Sequence, residues 1–247
     1  MDPVARGSQA STRPVYISRM ASTHDMRCSV LSFLTSAAAV SAAAIPSAPE
    51  KRGTSISVTP HDSYSSSIGV LGCKINTNRA AYWPSAPDCN NLCVKVTANG
   101  RSVNLLKIDQ SGGAHDISYD AWNYLMTGKN ATEAPTAGGG LAATYEDVPM
   151  SECASLLKDG KHLSFAAANS MNFISSCSAS TWVGKNYALY NILNTQCTWG
   201  YDELCHLPDP SQGNQPICEH QLGLTVALTT CPVTNILYPS GQTSIAV

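Results

Sequence analysis

Apolar and polar residues alternate most regularly over Leu92-Cys-Val-Lys-Val-Thr97, the period of a half-buried strand. Asn99-Gly100 follows, the dipeptide best suited to a two-residue hairpin, and Ser102 to Ile108 then reads as the returning strand. A further strand is expected at Ile68 to Ile75. The period changes at Ser118, where Tyr119, Trp122 and Met126 fall at helical spacing behind a serine suited to the N-cap. After a loop at 128–140, Leu141 to Val148 is predicted as a closing strand that Cys153 can pin back. Beyond it the pattern is helical: Ser164 to Ser176, and Ser180 to Thr195 through Val183, Tyr187, Tyr190 and Leu193. Residues 206–216 form a Pro/Gly/Asn loop between Cys205 and Cys218, and Gly223 to Thr230 fits a strand or a helix. The expectation is an α+β chain with a sheet-rich first part and a mainly helical second part.

Residues 26–44 carry one positive charge, an apolar stretch and small residues at Ala42 and Ala44, the layout of a secretory signal. The stretch is shorter than the roughly 20 residues that cross a bilayer. Twenty-five polar residues precede it, so 1–25 is expected to be an upstream segment outside the true product, with translation starting at Met20 or Met26. Ile45 to Arg52 is Pro-rich and ends in Lys51-Arg52, similar to pro-segments cut by fungal dibasic processing proteases. The expected mature chain is therefore a domain at 53–153 followed by a cysteine-containing extension at 154–247.

This division changes the reading of charge. Nine basic and fourteen acidic residues remain after Arg52, a net of −5. That balance excludes nucleic acid, which draws on Lys and Arg against phosphate, and an anionic membrane surface. Of ten cysteines, Cys28 is lost with the signal, leaving Cys73, Cys89, Cys93, Cys153, Cys177, Cys197, Cys205, Cys218 and Cys231. Spread singly, they suit disulfides of a secreted protein, with one left over. Cys89 and Cys93 form the only close pair, and no second pair or His-x3-His completes a zinc site, so no metal is expected. No cofactor is expected either. Asn130-Ala-Thr132 is an N-glycosylation sequon in a Gly/Thr/Pro-rich stretch.

Cys89-Asn-Asn-Leu-Cys-Val-Lys-Val-Thr97, the hairpin, Lys107-Ile-Asp-Gln-Ser-Gly-Gly-Ala-His-Asp-Ile-Ser118 and the strand running to Cys153 together resemble the barwin-like double-psi β-barrel superfamily. Its members include barwin, expansins, family 45 endoglucanases and RlpA-like proteins. The resemblance spans about 73–153 and implies a six-stranded barrel with Cys93 bonded to Cys153 and Cys73 to Cys89. The spacing here is Cys-x3-Cys where barwin has two intervening residues.

The resemblance also implies a groove that holds sugar. In the superfamily's enzymes an acidic residue matched by Asp116 acts at the glycosidic oxygen, and Asp109 or Asp88 would be the second carboxylate that inverting hydrolysis requires. Local roles compete: Asp109 can bond the turn ahead of Gly112-Gly113, and Asp116 can cap the helix at 118. Tyr82 and Trp83, ahead of a Pro-rich loop, are the candidates for stacking on sugar, and His115 for a titrating or binding group. Tyr119 and Trp122 read better as core. The leading expectation is a secreted protein that binds cell-wall polysaccharide or a host surface without catalysis, using Tyr82, Trp83, Asp109, His115 and Asp116. The alternatives are a glycan-cleaving enzyme and an effector with no sugar ligand.

Overall fold

A computed structural model describes residues 53–208 and 214–247. The expected upstream segment, signal and pro-segment, with Cys28, lie outside these. Six strands close into a barrel: β1 (Thr54–His61), β2 (Ala80–Trp83), β3 (Cys93–Ala98), β4 (Arg101–Gln110), β5 (His115–Ser118) and β6 (Leu141–Asp147). Their order around the barrel is β1-β5-β2-β4-β3-β6. The pairings β1/β5 and β2/β4 are parallel and the other four antiparallel. Closure leaves no exposed sheet edge in this part of the chain.

Local sequence explains the framework. Asn99 and Gly100 both hold positive φ, 51° and 71°, the pair that a tight hairpin between twisted strands demands. Helix α1 (Tyr119–Thr127) stops at Gly128, whose φ of 81° lets its N–H bond the Tyr124 carbonyl. Ser118 precedes α1, but its hydroxyl does not cap it. That group donates to the Thr77 and Ala80 carbonyls and accepts the Ala80 N–H, tying α1 to the start of β2. The expected strand at Ile68 to Ile75 is instead an irregular run with a bridge at Val70 and a 3-10 turn at Gly72–Lys74. Its Leu71 N–H bonds Ser164, and its Gly72 N–H bonds Thr195, so its partners lie in the extension rather than in the barrel.

Two apolar clusters share the barrel wall. Val58, Ala81, Trp83, Val96, Leu105 and Ile117 fill the first, with Tyr119, Trp122 and Leu125 of α1. Full burial of each large side chain contributes on the order of 1.5–3 kcal/mol. The outward faces of β2 and β4, through Ala80, Tyr82, Leu106 and Ile108, belong to the second cluster, together with Leu163, Phe165, Val183, Leu189 and Ile192 of the extension. The extension thus covers barrel strands that would otherwise show apolar residues to water.

The extension is not mainly helical. Strands β7 (Leu163–Ala166), β8 (Tyr187–Ile192) and β9 (Gly200–Cys205) form a sheet, with β7 parallel and β9 antiparallel to β8. Helices α2 (Met171–Ser176) and α3 (Trp182–Asn186) are only six and five residues long. The apolar spacing read as two helices comes from short strands with residues buried on both faces: all four residues of β7 are buried. Such runs carry no period that separates strand from helix. Residues 223–230 adopt neither candidate form and touch the sheet through a bridge from Ala227 to Trp199. The chain ends in a hairpin, β10 (Thr234–Ile236) and β11 (Thr243–Ile245), fastened to the turn after β1: Tyr64 N–H donates to Asn235 and Tyr238 N–H to Asp62.

Four disulfides join Cys73 to Cys197, Cys89 to Cys177, Cys93 to Cys153 and Cys205 to Cys218. The Cys93–Cys153 bond agrees with what the barwin-like resemblance implies. The implied Cys73–Cys89 bond does not form, because each of these cysteines is spent on the extension, which barwin-like spacing does not describe. Cys231 is the free thiol among the described cysteines.

Candidate functional site

Three barrel strands bring the expected acidic residues into one row. Tyr82 of β2 is in register with Asp109 of β4 on one side and with Asp116 of β5 on the other. Two strand spacings separate the carboxylate-bearing backbones, roughly 10 Å. Tyr82 occupies the strand between them and is only 4% exposed, and the His61 ring packs on it at 4.4 Å. Burial and then the charge of Asp109 push the Tyr82 phenol far above its ordinary range, so it stays protonated.

Each carboxylate in the row is held by donors. Asp109 accepts from the Ser65 hydroxyl at 2.5 Å, the Ser67 N–H at 2.9 Å and the Gln110 N–H at 2.8 Å. It fastens the loop after β1 to the end of β4, rather than bonding within the Gly112-Gly113 turn. Asp116 accepts from the Thr59 hydroxyl and so links β5 to its parallel neighbour β1, with no bond to the α1 N-terminus. Asp88 is exposed on the loop before Cys89 and accepts from Asn90 N–H, Asn91 N–H and the Asn91 amide. Partial desolvation works to raise its pKa, but these bonds and the charge of Lys107 outweigh it and hold the carboxyl below its usual value. A hollow beside Tyr82, bordered by His61, Asn78, Ser118 and Asp120, holds about 20 Å³, the space of a single water.

The open aromatic surface lies elsewhere. Trp83 is 3% exposed, so it serves as a wall rather than a platform. The His115 ring meets it edge-on at 4.9 Å and the Tyr145 ring at 5.5 Å, and His115 and Tyr145 lie 5.9 Å apart, tilted by 38°. Both of these rings are partly exposed. The Trp83 indole N–H has no hydrogen-bond partner among the described residues. Desolvation lowers the His115 pKa against the opposing charge of Asp116, favouring the neutral imidazole near neutral pH. Beside this trio runs the Ser111–Ala114 turn, where Gly112 and Gly113 have no atom near enough to crowd an added Cβ.

Sequence reading brought together Trp83 and His115 but passed over Tyr145. Tyr145 follows Leu141 and Ala143 on the face of β6 that packs on the first apolar cluster. Its tyrosine type at the end of an otherwise small and aliphatic face was the available signal. A roomier hollow of about 540 Å³ borders Met171, Ile174, Tyr187 and Leu207 in the extension and shares no residue with this site. Among the described residues no cluster of three or more His, Cys, Asp or Glu is arranged to hold a metal ion.

A closed mixed barrel with the Cys93–Cys153 clip, whose carboxylates sit on the strands flanking β2, is a barwin-like double-psi β-barrel. Residues 61–156, under half of the chain, match the cerato-platanin family model, and with the barrel this places the domain in the barwin-like superfamily. The match ends with the 3-10 turn Met150–Leu156 and leaves the extension uncovered. No curated protein matches the chain.

Proposed function

We propose that the chain is a secreted, fungal surface-type protein that binds cell-wall polysaccharide without cleaving it. The observation that carries this reading is the aromatic trio: two partly exposed rings, His115 and Tyr145, backed by buried Trp83. A sugar ring presents C–H groups on one face and hydroxyls at its edge, so it matches ring faces flanked by polar turn groups. The Ser111–Ala114 turn and Gln110 supply those polar groups. Asp109, Asp116 and Tyr82 act beneath this surface by locking β1, β5, β2 and β4 in register.

The carboxylates favour binding over hydrolysis. An inverting pair needs room for a water and a sugar between two carboxyl groups. Here serine, threonine and backbone donors occupy the acids, and the strand between them carries a buried tyrosine. The cerato-platanin match supports a secreted, surface-acting role, and four disulfides suit an oxidising exterior. No helix among the described residues is long and apolar enough to cross a membrane.

The test is incubation with cellulose, β-glucan, chitin and peptidoglycan, scoring retention on the solid and soluble sugar separately. Retention without product, lost about five- to twelvefold in Tyr145→Ala as expected for one stacking contact of ~1–1.5 kcal/mol, fits the proposal. Soluble product that disappears in Asp116→Asn would establish the enzyme instead. Neither retention nor product would favour an effector with no sugar ligand.

A further inference from the structure

The sequon Asn130-Ala-Thr132 is held in an unusual way. Its middle residue is fully buried, and the Ala131 N–H donates to Asp120 Oδ1 at 2.7 Å. Asp120 is itself 4% exposed, and its other oxygen accepts from Arg79 Nη1 at 2.8 Å. The Asn130 carbonyl accepts the Glu133 and Ala134 N–H groups, while the Asn123 amide donates to the carbonyls of Lys129 and Ala134. The backbone of the sequon is therefore fixed from both sides. Asn130 and Thr132 remain exposed, and neither side chain makes a hydrogen bond among the described residues.

Both side chains border one hollow of about 220 Å³, completed by Asn78, Asp120, Thr234, Ile236 and Thr243. An amide, two hydroxyls and a carboxylate offer donors and acceptors to hydroxyl and acetamido groups, and Ile236 offers an apolar flank. The volume falls below the ~300–1,000 Å³ of free-standing ligand pockets, so a freely diffusing sugar would bind weakly. A sugar tethered at Asn130 is different, because its effective concentration at the hollow reaches the millimolar range without any new contact.

We infer that Asn130 carries an N-linked glycan and that its first sugar residue occupies this hollow, joining the loop after α1 to the β10–β11 hairpin. In the transfer the Asn130 amide nitrogen bonds the anomeric carbon of a lipid-diphosphate-linked oligosaccharide. The bond from that carbon to the diphosphate oxygen breaks, the amide gives up one proton, and the lipid diphosphate leaves, with no change of oxidation state. The inference requires passage through the secretory route but not the polysaccharide-binding surface, which shares none of these residues.

The test uses the full chain secreted from a eukaryotic host. Peptide mass mapping before and after peptide-N-glycosidase should place a glycan on Asn130, absent in Thr132→Ala and kept in Thr132→Ser. Release by the glycosidase from the native protein should be about tenfold slower than from the unfolded chain, and Asn78→Ala with Thr234→Ala should restore much of the rate without changing occupancy. A secreted, disulfide-bonded chain that is unmodified at Asn130 overturns the inference and leaves the polysaccharide reading intact. A glycan released at the same native rate from the parent and the Asn78/Thr234 variant overturns the bedding of the sugar.

Discussion

The barrel and its extension solve the problem of stability in different ways. The barrel closes its hydrogen-bond ladder on itself and buries Leu105, Ile117 and Trp122 completely. The extension has one three-stranded sheet, one hairpin and long irregular stretches. Among the described residues the large apolar side chains left well exposed, Trp199, Leu204, Ile217, Leu224, Val226, Ile245 and Val247, all follow β8. What it lacks in core it gains in covalent links, since three of the four disulfides end in it and two of those anchor it to segments beside the barrel. Such links act chiefly by restricting the unfolded chain, and the effect grows with loop length.

This contrast makes its strongest prediction at the longest covalent loop. Cys73 and Cys197 are 124 residues apart, and replacing both with Ser should cost about 4–5 kcal/mol in urea unfolding. If the extension is held mainly by its links, the loss should appear as an early transition in which Trp182 and Trp199 respond before the barrel. A single cooperative shift would instead mean that the shared apolar cluster dominates.

Within the barrel, packing should matter most. Leu105→Ala removes a fully buried side chain and should cost about 2–5 kcal/mol, measured by the same urea midpoints. A cost near zero would mean that the first apolar cluster does not carry the barrel.

A smaller effect is expected at Glu203 on β9, which accepts from His220 Nδ1 at 2.6 Å, His220 N–H at 2.8 Å and the Asn191 amide at 2.8 Å. Desolvation opposes ionisation here, but the His220 ring, the Asn191 amide and the His220 N–H prevail and bring the carboxyl from 4.5 down to about 2. A group lowered on folding stabilises the fold above its unfolded pKa and loses that contribution as pH falls through its folded one. Stability should therefore decline as pH falls from 4.5 toward about 2, and Glu203→Gln should flatten that decline. An identical profile in the variant would remove the pair from the account of the extension.

The smallest effect belongs to Leu204, 65% exposed on β9. Leu204→Lys should change stability by no more than about 0.5 kcal/mol, in contrast to the buried leucine of β4. A loss of 2 kcal/mol or more, the range of buried sites, would show that this face is covered in solution.

Three of the six barrel strands, β3, β4 and β6, were legible along the chain, whereas β1, β2 and β5 were not. The alternation at 92–97, the Asn99-Gly100 turn and the helical spacing from Tyr119 are local signals, each set by one residue's neighbours within a turn or a strand. The extension was misread because β7 and β8 are short and buried in part on both faces, so apolar spacing lost its meaning there. The same holds for the site. Its residue types were visible, but burial turned Tyr82 and Trp83 from surface platforms into a filler and a wall, and brought Tyr145 beside His115.

Sequence alone determined the hairpin, the helix that starts at Tyr119, the acidic balance of the chain after Arg52, and an odd number of cysteines in it. Tertiary structure decided which thiols meet, which donors occupy Asp109 and Asp116, and which rings stay open to water. The physical reason is range. Turn and helix preferences are settled over a few bonds, whereas disulfide partners 88 or 124 residues apart and the exposure of a ring depend on how distant segments pack.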